Sequence, residues 1–181
     1  MKSSVIFLDI DGVLNSKKYC TEMFEKTRCC KLEDLKPNSL IREMDPEIIQ
    51  RVARLASETD SSVVLSSSWK HMWNDSVSNG LAKADMQLMF ETFGLHVEDE
   101  ATPNAKSGNR PVEIKMFLNA HKEVKRWVSL DDDYFPYEYA RAGLPKNLVR
   151  TKYHNGDKYG GFTSEYYNAA CSILGKYPIL F

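Results

Sequence analysis

The chain has 181 residues, with 24 Lys and Arg against 25 Asp and Glu; 43% are hydrophobic and 27% charged, an ordinary globular balance that excludes disorder and collagen-like repeats. At this length one sizeable core is expected, as a single domain over residues 1–181 with a modest insertion rather than two full domains. A formal net charge of −1 exerts no global pull on nucleic acid or anionic lipid and leaves only local basic patches for that purpose.

Lys2 is followed at once by Ser3-Ser4 and four apolar residues that end at Asp9, so the start lacks a signal-peptide core and a cleavage site. No apolar run approaches the roughly 20 residues of a membrane helix, and a cytoplasmic protein with no membrane partner is expected. Val5-Ile6-Phe7-Leu8 is continuously apolar, the pattern of a strand buried on both faces, and it runs into Asp9-Ile10-Asp11-Gly12. Residues 15–44 are polar, mixed in charge and without a sustained period; they read as an excursion rather than core. Asp45-Pro46-Glu47 supplies an N-cap, a proline at the first helical position and an acid in the first turn, and Ile48, Ile49, Val52, Leu55 and Ala56 follow at helical spacing. A second apolar strand over residues 62–65 ends in Ser66-Ser67-Ser68-Trp69. Residues 81–93 carry Met86, Leu88, Met89, Phe90 and Phe93 before Gly94, and Pro111 opens another helix with Ile114, Phe117 and Leu118 inward. A third strand over 126–130 runs into Asp131-Asp132-Asp133, and near the end Thr163 is placed as an N-cap with Phe162 and Tyr167 as a hydrophobic staple. The architecture implied is α/β: an open, mainly parallel, Rossmann-like sheet with helices on both faces.

Three apolar strands thus end in oxygen-bearing side chains: Asp9 and Asp11, then Ser66 to Ser68, then Asp131 to Asp133. Ligands of open α/β sheets bind at the carboxyl ends of the strands, so groups far apart in sequence converge there. Strand alternation sends Asp9 and Asp11 to the same side, and Gly12 allows a sharp turn. Two carboxylates held that close resist ionising unless a cation joins them, and an all-oxygen site suits Mg²⁺. An EF-hand does not fit, because the twelfth position counted from Asp9 is Cys20. Cys20, Cys29, Cys30 and Cys171 show no zinc spacing and read as reduced thiols.

These motifs resemble the haloacid-dehalogenase-like (HAD) superfamily of phosphohydrolases. Phe7-Leu8-Asp9-Ile10-Asp11-Gly12-Val13-Leu14-Asn15 looks like its first motif, with Asp9 the nucleophile; Ser67, or Ser66 one residue earlier, looks like its phosphate-binding Ser/Thr. Lys106 and Arg110 compete for its basic motif, and Asp131-Asp132 looks like its acidic one. Leu65-Ser66-Ser67-Ser68-Trp69-Lys70, Arg110-Pro111-Val112-Glu113-Ile114 and Leu130-Asp131-Asp132-Asp133 together are similar to the HAD domains of Swiss Army Knife RNA-repair proteins. The order of motifs separates the chain from response-regulator receivers, whose phosphorylated Asp lies on a middle strand.

The resemblance implies a HAD-like fold and Mg²⁺-dependent hydrolysis of phosphate monoesters through an aspartyl phosphate on Asp9. Asp11 is implied as acid and base, and Asp9, the Asp11 main-chain carbonyl and Asp131 or Asp132 as metal ligands. Ser67 would bind a phosphoryl oxygen, and Lys106 or Arg110 would compensate its charge. Residues 16–44 are the candidate small cap or flap, short enough to leave the site open to a nucleic-acid end, a nucleotide, a phosphoprotein or a metabolite. Tyr19, Phe24, Trp69 and Trp73 are candidate base-stacking rings, although the helical spacing of the two tryptophans favours packing. The tyrosines from Tyr137 to Tyr177 read as packing the outer helices with their hydroxyls at the surface. A phospho-ligand-binding module without turnover and a phosphotransferase are the alternative functions on the same fold.

Overall fold

Val5-Ile6-Phe7-Leu8 is apolar on both sides because it lies inside a sheet. In the computed structural model, which describes residues 1–31, 39–74 and 81–175, it forms β1 (Ser4–Leu8), fully buried along its length. β1 pairs in parallel with β2 (Ser62–Leu65) on one side and β3 (Arg126–Asp131) on the other, and β3 pairs with β4 (Leu148–Arg150), giving the order β2-β1-β3-β4. Leu8 stands opposite both Leu65 and Leu130, so the three expected strands end level with one another.

Alternation along β1 divides the core into two layers. Ile6, Leu8 and Ile10 face the larger one, built from Ile48, Ile49, Val52 and Leu55 of α2 (Pro46–Glu58), Met86, Met89 and Phe90 of α4 (Leu81–Thr92), and Ala170 and Cys171 of α7 (Ser164–Ile173). Val5 and Phe7 face the smaller one, with Ile114 and Phe117 of α5 (Arg110–Ala120) and Tyr139 of α6 (Pro136–Arg141). Phe7 meets Phe117 and Trp127 edge to face, at 5.4 and 5.8 Å between ring centroids. Helices therefore cover both faces of an all-parallel sheet. Each fully buried Leu, Ile or Phe contributes about 1.5–3 kcal/mol, so the two layers hold the strand tips in place.

Local signals act as the sequence leads one to expect at several ends. Asp45 caps α2 by accepting from the Glu47 N–H at 2.9 Å, and Asn109 caps α5 by accepting from Val112 at 3.2 Å. The Met-rich α4 turns Met86, Met89 and Phe90 inward, a packing face rather than an exposed stripe.

Other expectations need correcting. The excursion over residues 15–44 contains α1 (Lys17–Thr27), capped by the Ser16 hydroxyl, and a 3-10 turn (Ser39–Arg42), while Met44 is fully buried. The helix escapes a periodicity search because only Thr27 of it is buried. Residues 32–38 of the candidate insertion, and Tyr177, lie outside the described residues. Thr163 is the N-cap residue of α7, as expected, but it makes no side-chain cap bond, and among the described residues its buried hydroxyl has no partner. Tyr139 is a core residue whose hydroxyl meets that of Ser129 at 2.8 Å, because α6 presses it onto β3. Among the described residues no helix is long and apolar enough to cross a membrane.

Candidate active site

β1 connects to β2 on one side and β3 lies on the other, so the chain reverses its winding between β1 and β3. That is the place where open α/β sheets leave a crevice at their carboxyl ends. Asp9 leaves the tip of β1 there and Asp131 ends β3, tied together by the Asp9 N–H on the Leu130 carbonyl at 3.1 Å. Both are buried, at 4% and 0% exposure. Arg110 enters from the first position of α5, and its Nη1 lies 2.5 Å from Asp9 Oδ2 and 2.5 Å from Asp131 Oδ2. A cation at a helix N-terminus works against the helix dipole, so the two carboxylates, not the helix, account for this arginine.

The remaining oxygens are committed as well. Asp9 Oδ1 accepts from the Ile10 N–H at 2.8 Å, and the Ser67 hydroxyl lies beside the Asp9 carboxyl. Asp131 Oδ1 accepts from the backbone of Asp133 and Tyr134, at 2.9 and 3.2 Å. Asp132 is half-buried beside the pair, packed where a side chain on Gly12 would stand: a Cβ there would come within 2.1 Å of the Asp132 Cγ, and the backbone φ of +69° favours glycine in any case. One oxygen each of Asp9, Asp131 and Asp132 lie within 4.8 Å of one another.

This crowding shifts the titrations. Burial, reinforced by Asp131 and only partly offset by Arg110, pushes the Asp9 carboxyl up to about 7. Burial and then the charges of Asp131 and Asp133 push Asp132 up to about 6. Burial opposes the charge on Arg110, and the attraction of Asp9 and Asp131 outweighs it, holding the guanidinium protonated beyond the ordinary arginine range. Three carboxylates around one guanidinium leave the centre short of positive charge.

The other sequence candidates take distinct places. Asp11 is exposed and its carboxylate is turned away from the triad, accepting from Trp69 Nε1 at 2.9 Å and from Asn15 Nδ2 at 3.0 Å. The expectation that the Asp9 and Asp11 carboxylates crowd one small volume is thereby corrected: the turn at Gly12 and the two donors carry Asp11 to the rim. Ser66 is buried with its hydroxyl 3.4 Å from that of Thr102, whereas Ser67 faces Asp9. Lys106 is exposed on the loop before α5, and among the described residues no ion pair joins it to the carboxylates. Trp73, at the end of the short α3 (Lys70–Trp73), is buried in the core, while Trp69 at the site serves as a hydrogen-bond donor.

Three residues at the site lie inside the quoted motif segments but had no role assigned to them from sequence. Asn15 is buried and also receives the Gly12 N–H at 2.8 Å and donates to the Glu43 carbonyl at 2.8 Å, fixing the first-motif turn. Lys70 and Glu113 form a buried ion pair at 2.5 Å. Lys70 also donates to the Pro103 carbonyl, and Glu113 accepts from the Ala105 N–H at 3.0 Å. The pair joins the serine loop, three residues after Ser67, to the first turn of α5, three residues after Arg110. A cleft of about 260 Å³ opens between them, lined by Ser67, Ser68, His71, Asn104 and Arg110 among others.

The sequence model for the HAD domain in Swiss Army Knife RNA repair proteins matches residues 5–157. The chain belongs to that family. Comparisons with curated proteins and with solved structures return no match. Membership of the HAD family points to hydrolase chemistry, and HAD domains typically use a divalent metal. The residues present fit such an ion: three carboxylates, two of them buried, converge with one oxygen each within 4.8 Å of the others, and their donors are hard oxygens.

Proposed function

We propose that this HAD domain is a phosphatase that hydrolyses phosphate monoesters through an aspartyl phosphate on Asp9, with Mg²⁺ held by Asp9, Asp131 and Asp132. The observation that carries the reading is the single guanidinium of Arg110 bridging Asp9 and Asp131 at the sheet's winding reversal, beside Ser67 and Asp132. A phosphate monoester is a dianion that a carboxylate repels, so the nucleophile needs adjacent positive charge before it can attack in line. Mg²⁺, when bound, supplies part of that charge and polarises a phosphoryl oxygen.

The chain's own residues supply the rest. An Asp9 oxygen attacks phosphorus as the bond to the leaving oxygen breaks, while Arg110 turns from carboxylate to phosphoryl oxygen and the Ser67 hydroxyl donates to another. Asp11 gives its proton to the leaving oxygen and then takes one from the water that cleaves the aspartyl phosphate. A protonated carboxyl accepts poorly on both oxygens, so Asp11 leaves Trp69 when it takes up its role as acid. Phosphorylated nucleic-acid ends are the substrates this reading favours, since the family is described by its place in RNA repair proteins and, among the described residues, no large cap covers the site.

The test is phosphate release from an aryl phosphate, nucleotides, 3′- and 5′-phosphorylated oligonucleotides and phosphopeptides, with Mg²⁺ or chelator. Metal-dependent release that disappears in Asp9→Asn is expected. Turnover that survives in Asp9→Asn overturns the assignment.

A further inference from the structure

Beyond Asp131 the chain builds a strip of rings and arginines that the catalytic reading leaves unused. Tyr134 donates its N–H to Asp131, and its ring lies 5.3 Å from the Arg110 guanidinium carbon, so the strip begins at the reacting centre. The next rings are Phe135 and Tyr137, stacked on each other with centroids 5.7 Å apart and planes at 19°. They are 41% and 54% exposed, although Tyr139, on the inward side of α6, is fully buried. The core is thus already closed beneath them, and these two rings bury little against it.

Each ring carries an arginine. The Arg150 guanidinium carbon lies 3.9 Å from the Phe135 centroid, and that of Arg141 lies 5.4 Å from the Tyr137 centroid. Arg150 stands opposite Asp131 in the β3–β4 register, at the same carboxyl edge of the sheet as Asp9, and its Nε donates to the Tyr134 carbonyl at 3.1 Å. Among the described residues neither arginine is ion-paired with a carboxylate. The nearby Glu138 is engaged with the Phe135 N–H at 2.8 Å.

We propose that the Phe135–Tyr137 ring pair with Arg141 and Arg150 is a docking strip for a single-stranded nucleic acid, whose terminal phosphate would reach the Asp9 centre. The inference rests on the phosphatase reading and adds where the rest of the substrate lies. Flat rings suit unpaired bases, and guanidiniums held against those rings with free N–H groups suit the intervening phosphates. A phosphopeptide offers one phosphate and no succession of flat groups, so it leaves most of the strip idle.

The experiment measures binding of a fluorescein-labelled, 3′-phosphorylated oligouridylate by anisotropy, in chelator so that nothing turns over, alongside aryl phosphate hydrolysis with Mg²⁺. Tyr137→Ala is expected to weaken oligonucleotide binding on the order of tenfold or more, the usual loss of one stacked base. Tyr137→Phe, which keeps the ring, is expected to retain it. Arg141→Gln is expected to reduce the salt dependence of binding by about 0.7 in log–log slope, one phosphate contact's share. All three should hydrolyse the aryl phosphate like the parent chain, which also shows that they are folded. Unchanged oligonucleotide binding in both Tyr137→Ala and Arg141→Gln, or tighter binding of a phosphopeptide, overturns the strip. Absence of aryl phosphate hydrolysis in the parent chain instead counts against the phosphatase, and the binding arm still decides the strip.

Discussion

Two buried ion pairs stand side by side in this domain and differ in one respect. Lys70 and Glu113 match one cation to one anion, and their other close contacts, the Pro103 carbonyl and the Ala105 N–H, have the right polarity. Arg110 faces Asp9 and Asp131 with Asp132 alongside, one cation for three anions. The first arrangement is complete as it stands and joins two loops. The second has more negative than positive charge, the imbalance expected of the proposed phosphatase centre, where a cation and a phosphoryl group would bind, rather than of a fastening of the fold.

The comparison is broken most forcefully at its nucleophile. Asp9→Asn is expected to lower phosphate release by at least about 10³-fold, because no carboxylate remains to form the intermediate. The same change should raise stability at neutral pH by about 2 kcal/mol, since it removes a buried charge the native state holds at a cost. Thermal melts with phosphate-release assays read both effects; a variant that is inactive and also destabilised argues that Asp9 serves the fold.

Lys70 and Glu113 should answer in the opposite sense. Lys70→Met or Glu113→Leu alone strands a buried charge and is expected to cost about 3–5 kcal/mol, whereas the double variant should recover most of it. Denaturant unfolding of the three variants checks this. If the double variant is as unstable as either single one, the pair is not the self-contained fastening its geometry indicates.

Much of the fold was legible because it depends on local pattern. The three apolar strands, the Asp45 and Pro111 helix starts and the Met-rich α4 follow from burial periodicity and caps that neighbouring residues set. The carboxyl-end convergence of Asp9, Ser67 and Asp131 followed from strand order. What stayed hidden depends on partners distant in sequence. β4 is three residues long and half-exposed, and its assignment rests on pairing with β3. Asp11 looked equivalent to Asp9 by alternation until Trp69, 58 residues away, drew it to the rim. Arg110 and Lys106 were indistinguishable until α5 was placed, and nothing local paired Lys70 with Glu113, 43 residues away.

The charge deficit has its own signature in pH. Asp9 titrates near 7 in the folded chain against 3.8 for an ordinary aspartate, and Asp132 near 6. A carboxyl raised on folding favours the native state when protonated, so that stabilisation is complete below about pH 4 and is lost as pH rises through about 7. Metal-free protein is therefore expected to melt at lower temperature at about pH 8 than at about pH 5, by several degrees more than Asp9→Asn does. Adding Mg²⁺ at the higher pH should close that gap, since a cation favours the ionised form. Equal pH dependence in the two proteins, or indifference to Mg²⁺, removes the deficit as the distinguishing mark of the centre.

The smallest expected effect sharpens the comparison at its edge. Trp69→Phe keeps the ring and deletes the N–H that Asp11 Oδ2 accepts, leaving the Asn15 bond to Oδ1. Because the bond is exposed, stability should change by no more than about 1 kcal/mol. The chemistry is more discriminating. An aryl phosphate leaves without help from an acid, whereas an alkyl phosphate needs a proton, which the proposed mechanism takes from Asp11. If Trp69 keeps Asp11 parked at the rim, the variant frees it, and alkyl phosphate turnover should rise a few-fold with aryl phosphate turnover unchanged. A fall confined to the alkyl substrate would instead make Trp69 the residue that aims Asp11, with the rim position its working position.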